Sequence, residues 1–435
     1  MHGQWWMTGF LLGVACSDGA DSQVSAPLNP SSNGQPTTQS PGSPAGSAGP
    51  NSAGMMTSPG NAPPAMNAEG SPPVAGIQNP RAPGTAPGGA EPGETAGETE
   101  PTTAPVGPAA ARFIGRVDTS DGNGARFAWS GTGVVASFAG SSVAVRLTGG
   151  QQYTVLIDGV LQPKLVSTGG LDNLAPSGLS EGTHSVELYR RTEANQGEAQ
   201  FLGFDFGAGE LLPPPAAAER RIELVGDSIS AGYGDEGPNM SCPFTPDTEN
   251  HYLTYGALAA RALGAELSTV AWSGKGVVCN YGDEATSCSD PLPSYYDRTL
   301  PARADSQWRF SDWQPQAVVI NLGTNDFSTM TDPTQQQFEQ AYGTLLEHLR
   351  SVYPDALLLA TVGPLLTGTD LATTRLYIND VVQARNQAGD ARVKSFELAP
   401  TNAADGYGCD WHPSLRTHQV MAETLIATLR TELGW

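Results

Sequence analysis

Lysine is nearly missing from this chain. Lys164, Lys275 and Lys394 are the only three, and 22 basic residues face 44 acidic ones, for a formal charge of −22. Proteins bind nucleic acid by neutralising phosphates with cationic side chains, so nucleic acid is excluded as a partner. An anionic lipid surface would be repelled for the same reason. Aromatic residues are absent between residues 17 and 110, a stretch that holds 18 of the 35 prolines. Such a segment cannot bury enough apolar surface to offset its ordering entropy, so 17–110 reads as a disordered Pro/Gly/Ser-rich tether. Long hydrophobic runs are also lacking. The apolar stretch in "MTGFLLGVACSDG" falls short of the roughly 20 residues that span a bilayer, so residues 1–16 read as a signal peptide.

Cysteine is scarce: Cys16 stands alone, and Cys242, Cys279, Cys288 and Cys409 lie in the second half. None forms a close Cys-x-x-Cys pair, which argues against zinc. Four cysteines permit three pairings, and the sequence leaves the choice open. The leader resembles a bacterial lipoprotein signal ending at Cys16. That resemblance implies a secreted protein or a bacterial cell-surface lipoprotein, with Cys16 lipidated as its sole membrane contact. In an exported chain the four later cysteines are expected as two disulfides.

At Arg112 the composition changes. "ARFAWSGTGVVASFAGSSVAVRLTG", "YTVLIDGVLQPKLV", "EGTHSVELYRR" and "AQFLGFDFG" alternate apolar and polar residues, with a hairpin signal at Asp158-Gly159. Short alternating strands without a helix predict an antiparallel β-sandwich over 111–212, in which His184 is structural. "LLPPPAAAERR" breaks the pattern. Over 219–435 strands ("RIELVG", "LSTVAW", "QAVVINLG", "ALLLATVG", "RVKSFELA") alternate with helical patterns, among them "ENHYLTYGALAARALGAE" and "HPSLRTHQVMAETLIATLRTELG". This predicts an α/β/α domain with a mainly parallel sheet. Its site belongs beyond the carboxyl ends of the strands.

Three short segments follow predicted strands: "GDS", "WSGKG" and "GTND". A fourth, "DWHP", precedes the last helix. Acyl transfer by serine needs a nucleophile, a base, a group that orients the base, and donors for the developing oxyanion. The four segments supply Ser228, His412 and Asp410, with donors at Gly276 and Asn325; the second segment also offers Gly274. Each has a plainer reading. Gly-Asp-Ser at a strand end is often only a turn, Asn325-Asp326 is another turn, and His412 before a proline is a capping residue. His251, His348 and His418 lie in helical patterns and read as structural, and Asp227 as a brace for its turn. Trp411 has a ring suited to stacking on sugar, or to walling the site; Phe327 and Tyr233 are weaker versions of the same idea. No stretch has metal-ligand spacing or the lysine of a phosphate loop, so no metal or cofactor is expected.

The ordered blocks "GDSISAGYG", "WSGKG", "INLGTND" and "DWHP" after a β-sandwich resemble the SGNH, or GDSL-type, hydrolases, and among them family 2 of the carbohydrate esterases. The resemblance covers residues 112–435 and implies an N-terminal jelly roll followed by the hydrolase domain. It implies a serine esterase that removes O-acetyl groups from plant cell-wall polysaccharide such as xylan. In it Ser228 attacks, His412 carries the proton and the Asp410 carboxylate fixes the imidazole, while backbone Ser228 and Gly276 with the Asn325 amide hold the oxyanion. The rival readings are an SGNH esterase for lipid or peptidoglycan acyl groups, and a non-catalytic carbohydrate-binding protein of the cell surface.

Overall fold

The register of five parallel strands decides where the chemistry-bearing loops emerge. This computed structural model describes residues 110–284, 288–328 and 331–435. All of these fall in the unit Ala96–Trp435. The leader, Cys16 and all but the last residue of the tether lie outside the described residues.

The first eleven strands are short. They are β1 (Arg112–Ile114), β2 (Ala125–Phe127), β3 (Gly133–Gly140), β4 (Ala144–Leu147), β5 (Gln152–Ile157) and β6 (Val160–Leu161). They continue with β7 (Leu165–Val166), β8 (Leu171–Asn173), β9 (Gly182–Arg190), β10 (Ala199–Asp205) and β11 (Glu210–Leu212). One antiparallel sheet runs β1-β3-β9-β5-β6, with β11 on β3 and β7 on β5; the other runs β2-β10-β4-β8. In β9 the two-residue period buries His184, Val186, Leu188 and Arg190 on one face. Val186 and Leu188 meet Phe127, Val145 and Leu147 of the facing sheet in a shared core. The expected hairpin is present. Ile157 pairs with Val160 across Asp158 (φ 52°) and Gly159 (φ 72°), the left-handed pair that a tight two-residue turn requires. His184 is structural as expected, with Nδ1 2.7 Å from Asp158 and Nε2 2.9 Å from the Ser180 carbonyl.

Five parallel strands follow: β12 (Arg220–Gly226), β13 (Ala265–Ala271), β14 (Ala317–Asn321), β15 (Leu357–Val362) and β16 (Val393–Glu397). Their order is β13-β12-β14-β15-β16. The helices are α1 (Ser228–Ala231), α2 (Tyr255–Ala262), α3 (Gln335–Val352), α4 (Gly368–Gln387) and α5 (Leu415–Leu433). Apolar side chains cover both faces of the sheet: Leu224 packs in a cluster with α2 and α5, Val225 in one with α3 and α4. Helix α2 is shorter than its sequence pattern predicts. Thr254 caps it by accepting from the Ala257 N–H, so His251–Leu253 forms a separate 3₁₀ turn.

Gly226 pairs with Ala271 on one side and with Asn321 on the other. The turns after β12, β13 and β14 therefore open on one sheet edge. The chain leaves β12 to one neighbour and then crosses to the other, the switch point where α/β sheets bind ligands. The two sheet systems are joined by buried polar contacts. Arg116, after β1, reaches Glu223 in mid-β12 at 2.9 Å, both side chains fully buried. Glu223 also accepts from the Tyr296 hydroxyl at 2.5 Å, and Trp129 donates to the Arg298 carbonyl at 3.1 Å.

Candidate active site

Strand β12 ends in Gly226, where a Cβ would lie 2.1 Å from Ser230 Oγ, so the turn closes only with glycine. Asp227 caps α1 by accepting from the Ile229 N–H at 3.0 Å, which puts Ser228 at the first helical position. A first-turn N–H has no partner within its helix. That of Ser228 has no acceptor among the described residues. Burial pushes the Asp227 carboxyl up to about 7, with the nearby Asp326 adding to the rise.

His412 brings Nε2 to 2.9 Å from Ser228 Oγ. Its Nδ1 lies 3.1 Å from the backbone carbonyl of Asp410. A carbonyl only accepts, so Nδ1 carries the proton and Nε2 presents its lone pair to the serine. Burial holds the imidazole below the usual histidine range, opposed by that carbonyl and by the Asp410 charge.

The expected role of the Asp410 carboxylate is not what the structure has. Its Oδ2 accepts from the Tyr233 hydroxyl at 2.9 Å and from the Phe244 N–H at 3.1 Å. The main-chain oxygen of the same residue faces the ring. The cause is local backbone: Asp410 (φ 50°) and Trp411 (φ 66°) are consecutive left-handed residues, which turns the peptide rather than the side chain toward His412. Three further contacts hold that bend. Cys409 is disulfide-bonded to Cys242, its N–H donates to the Gly234 carbonyl at 2.9 Å, and the Asp410 N–H donates to the Cys242 carbonyl at 3.1 Å. The other disulfide, Cys279–Cys288, resolves the pairing that the sequence leaves open. Tyr233 stacks between Phe244 (4.1 Å) and His412 (4.2 Å). Trp411 is 60% exposed and meets Tyr407 edge-on at 5.5 Å.

The second segment forms a tight turn in which the Lys275 N–H donates to the Trp272 carbonyl at 3.2 Å. Gly274, third in that turn, has φ 79°, a position that asks for glycine. Its N–H has no acceptor among the described residues. The N–H of Gly276, the donor expected from the sequence, is already directed at a side-chain acceptor. That N–H lies 3.4 Å from Asn280 Oδ1, and the α-carbon is packed where a Cβ would strike the Cys279 carbonyl and Asp326. Asn325 is buried, with Nδ2 2.9 Å from the Lys275 carbonyl and 3.3 Å from Asp227 Oδ2. Phe327 is buried against Phe338 and Tyr377, away from any stacking role.

Asp326 has more than the turn role the sequence offers. Its carboxylate accepts from the N–H groups of Val277 (2.9 Å), Val278 (2.7 Å) and Cys279 (3.0 Å), clamping the loop beyond Gly276. Its place beside Asn325 in "GTND" was the available signal. The histidines of the helical stretches are structural, as expected. His251 and His418 are buried and held neutral, each with its pKa down to about 3, and His348 pairs with Asp297 at 2.6 Å. Among the described residues no cluster of His, Cys, Asp and Glu is fit to hold a metal ion.

Known proteins match along both sheet systems. Residues 113–215 match the carbohydrate esterase 2 N-terminal model, and 224–420 match the GDSL-like lipase/acylhydrolase model. The chain is 45% identical over 330 residues to the cellulase/esterase CelE of Acetivibrio thermocellus, covering 74% of this chain and 39% of that protein. It therefore spans about two fifths of that relative. An acetylxylan esterase/glucomannan deacetylase of Cellvibrio japonicus is 29% identical over 323 residues, covering 71% of this chain and 86% of that one. A solved family two carbohydrate esterase from Clostridium thermocellum, in complex with cellohexaose, is 43% identical. It is covered completely by 75% of this chain, with a TM-score of 0.71. With its ordered site segments on this fold and that complete match, the chain belongs to carbohydrate esterase family 2.

Proposed function

We propose that the chain is a serine esterase that removes O-acetyl groups from plant cell-wall polysaccharide, acetylated xylan or a related hemicellulose, through an acetyl-enzyme on Ser228. The observation that carries this reading is the 2.9 Å contact between Ser228 Oγ and the unprotonated Nε2 of a histidine fixed in one tautomer. Ser228 attacks the acetyl carbonyl as its proton passes to His412 Nε2. The tetrahedral oxyanion meets the N–H groups of Ser228 and Gly274 and the Asn325 amide, whose long contact to Asp227 yields to it. His412 then protonates the departing sugar oxygen, and the acetyl group stays on Ser228. A water that loses its proton to His412 attacks the acetyl-enzyme and frees acetate. The base is oriented by a main-chain carbonyl rather than a third side chain.

The sugar reading is supported by the exposed indole of Trp411 beside the base and by the acetylxylan esterase among the relatives. Export, with a lipid on Cys16, is our reading of the leader; two disulfides among the described residues fit an oxidising compartment. The test is release of acetate from acetylated xylan, and of nitrophenol from 4-nitrophenyl acetate, by the full chain and by Ser228→Ala. Both activities are expected to fall by about 10⁴-fold or more in the variant. Nitrophenol release without acetate release would keep the mechanism and overturn the substrate. Acetate release that persists in Ser228→Ala would overturn the mechanism.

A further inference from the structure

Glu193 belongs to the N-terminal sheets, three residues beyond β9, yet its carboxylate lies at the edge of the parallel sheet. It is fully buried, and its Oε2 accepts the Ser273 N–H at 2.6 Å. Ser273 and Gly274 are the two central residues of the Trp272–Lys275 turn. In such a turn the outer pair closes the ring, and the two central N–H groups are left to other acceptors. Glu193 takes the first, leaving the second, on Gly274, open for a ligand. The far flank of the turn is tied by Asn325, whose amide donates to the Lys275 carbonyl at 2.9 Å. The peptide that presents the Gly274 N–H is thus suspended between two side chains, one from each sheet system.

Glu193 is itself rigidly seated. Arg190, fully buried, donates to the carbonyls of Thr192 (2.9 Å), Glu193 (2.9 Å) and Gly197 (2.7 Å), which moulds the 192–197 turn around its guanidinium. The next residue, Arg191, accepts from the His251 N–H at 3.0 Å and pairs with Glu236, so the turn is docked on the hydrolase side as well. Trp129, also from the first sheets, packs edge-on against Trp272 at 6.4 Å. Carboxylate, arginine fork and indole together converge on one short turn.

We propose that Glu193 is a positioning residue of the esterase: through Ser273 it fixes the angle at which the Gly274 N–H meets the oxyanion. This rests on the reading of Gly274 as an oxyanion donor. A donor aimed at charge that exists only in the transition state acts on kcat and leaves substrate binding alone. The test is steady-state kinetics of the full chain carrying Glu193→Ala, Glu193→Gln or Glu193→Asp, with Gln152→Ala as a control. Gln152 bonds Asp247 at 3.0 Å elsewhere between the same two sheet systems.

Glu193→Ala is expected to lower kcat about 10- to 100-fold with KM within about twofold of the parent, short of the 10²–10³ for deleting a donor outright. Glu193→Gln, which keeps an acceptor oxygen at the same reach, should stay within about threefold. Glu193→Asp, one methylene too short, should resemble Ala, and Gln152→Ala should leave kcat unchanged. If the Ala variant does not fold, the Gln and Asp pair gives the same reading. Equal losses in Gln and Asp, or a matching loss in Gln152→Ala, would overturn the proposal as a general weakening of the interface. A kcat unchanged in both Ala and Asp would overturn it too. The oxyanion reading would fall separately if Asn325→Ala kept its kcat, because that residue touches the anion directly.

Discussion

Ser228 and His412 arrive at one 2.9 Å contact from differently built regions. The serine edge is set by regular structure: β12, β13 and β14 end in register, and Ser228 opens a helix straight off the middle one. The histidine loop has no such lattice. Residues 407–413 are held by a disulfide, two consecutive left-handed residues, a Tyr407–Pro413 bridge and a carboxylate that braces Tyr233. A strand end inherits its position from a sheet, whereas a loop must be given its position one contact at a time. The base is accordingly where single changes should do the most graded damage.

The strongest way to widen that difference is to replace Cys242 and Cys409 with Ala together. A misplacement of about 1 Å in a catalytic group costs on the order of 100-fold. We expect kcat on 4-nitrophenyl acetate to fall by about that amount. Removing Cys279 and Cys288 instead should cost less than about tenfold, because Asp326 still clamps that loop by three N–H groups. Equal losses in the two double variants would mean that the serine edge depends on covalent ties as much as the histidine loop does.

Asp410→Asn gives a smaller effect that bears on who orients the base. Loss of a true orienting carboxylate lowers turnover about 10⁴-fold. Here the main-chain carbonyl does that work, and Asn retains an acceptor for Tyr233 and Phe244, so less than about tenfold is expected. A loss near 10⁴ would return the carboxylate to the ring.

The smallest change is read from the pH profile. In the proposed mechanism His412 can take the serine proton only when neutral, and burial holds its pKa below 6.5. The acid limb of kcat/KM should therefore lie below pH 6.5. The Asp410 charge favours the imidazolium, so Asp410→Asn should move that limb to lower pH still. A limb above 6.5 in the parent, or a shift to higher pH in the variant, would contradict the electrostatics described above.

The same contrast explains what the sequence made legible. Strand patterns plus a nucleophile, a glycine turn and an Asn block at strand ends lead directly to Ser228 and Asn325, because register converts sequence position into spatial position. "DWH" gives the histidine that meets Ser228 but not which oxygen of Asp410 faces it, since that depends on two left-handed φ angles that sequence spacing does not encode. "WSGKG" offers two glycines. Only the fold reveals that Asp326 packs against one while the other sits third in a turn. Glu193 carries no signal, because it lies 80 residues from its partner in a strand system with a different periodicity.

The Arg116–Glu223 pair has a consequence for how such chains can be cut and recombined. Glu223 sits in the strand that leads into Ser228, and the arginine beside it belongs to the other sheet system. Removing one member of a buried pair costs about 3–5 kcal/mol, much of what a domain has to spare. A hydrolase half transplanted without its partner would leave Glu223 in its central strand with the Tyr296 hydroxyl but without its counter-charge. As a unit of exchange between proteins, the two sheet systems are one cassette, and the proline-rich break between them is a seam in the sequence that the energetics do not honour.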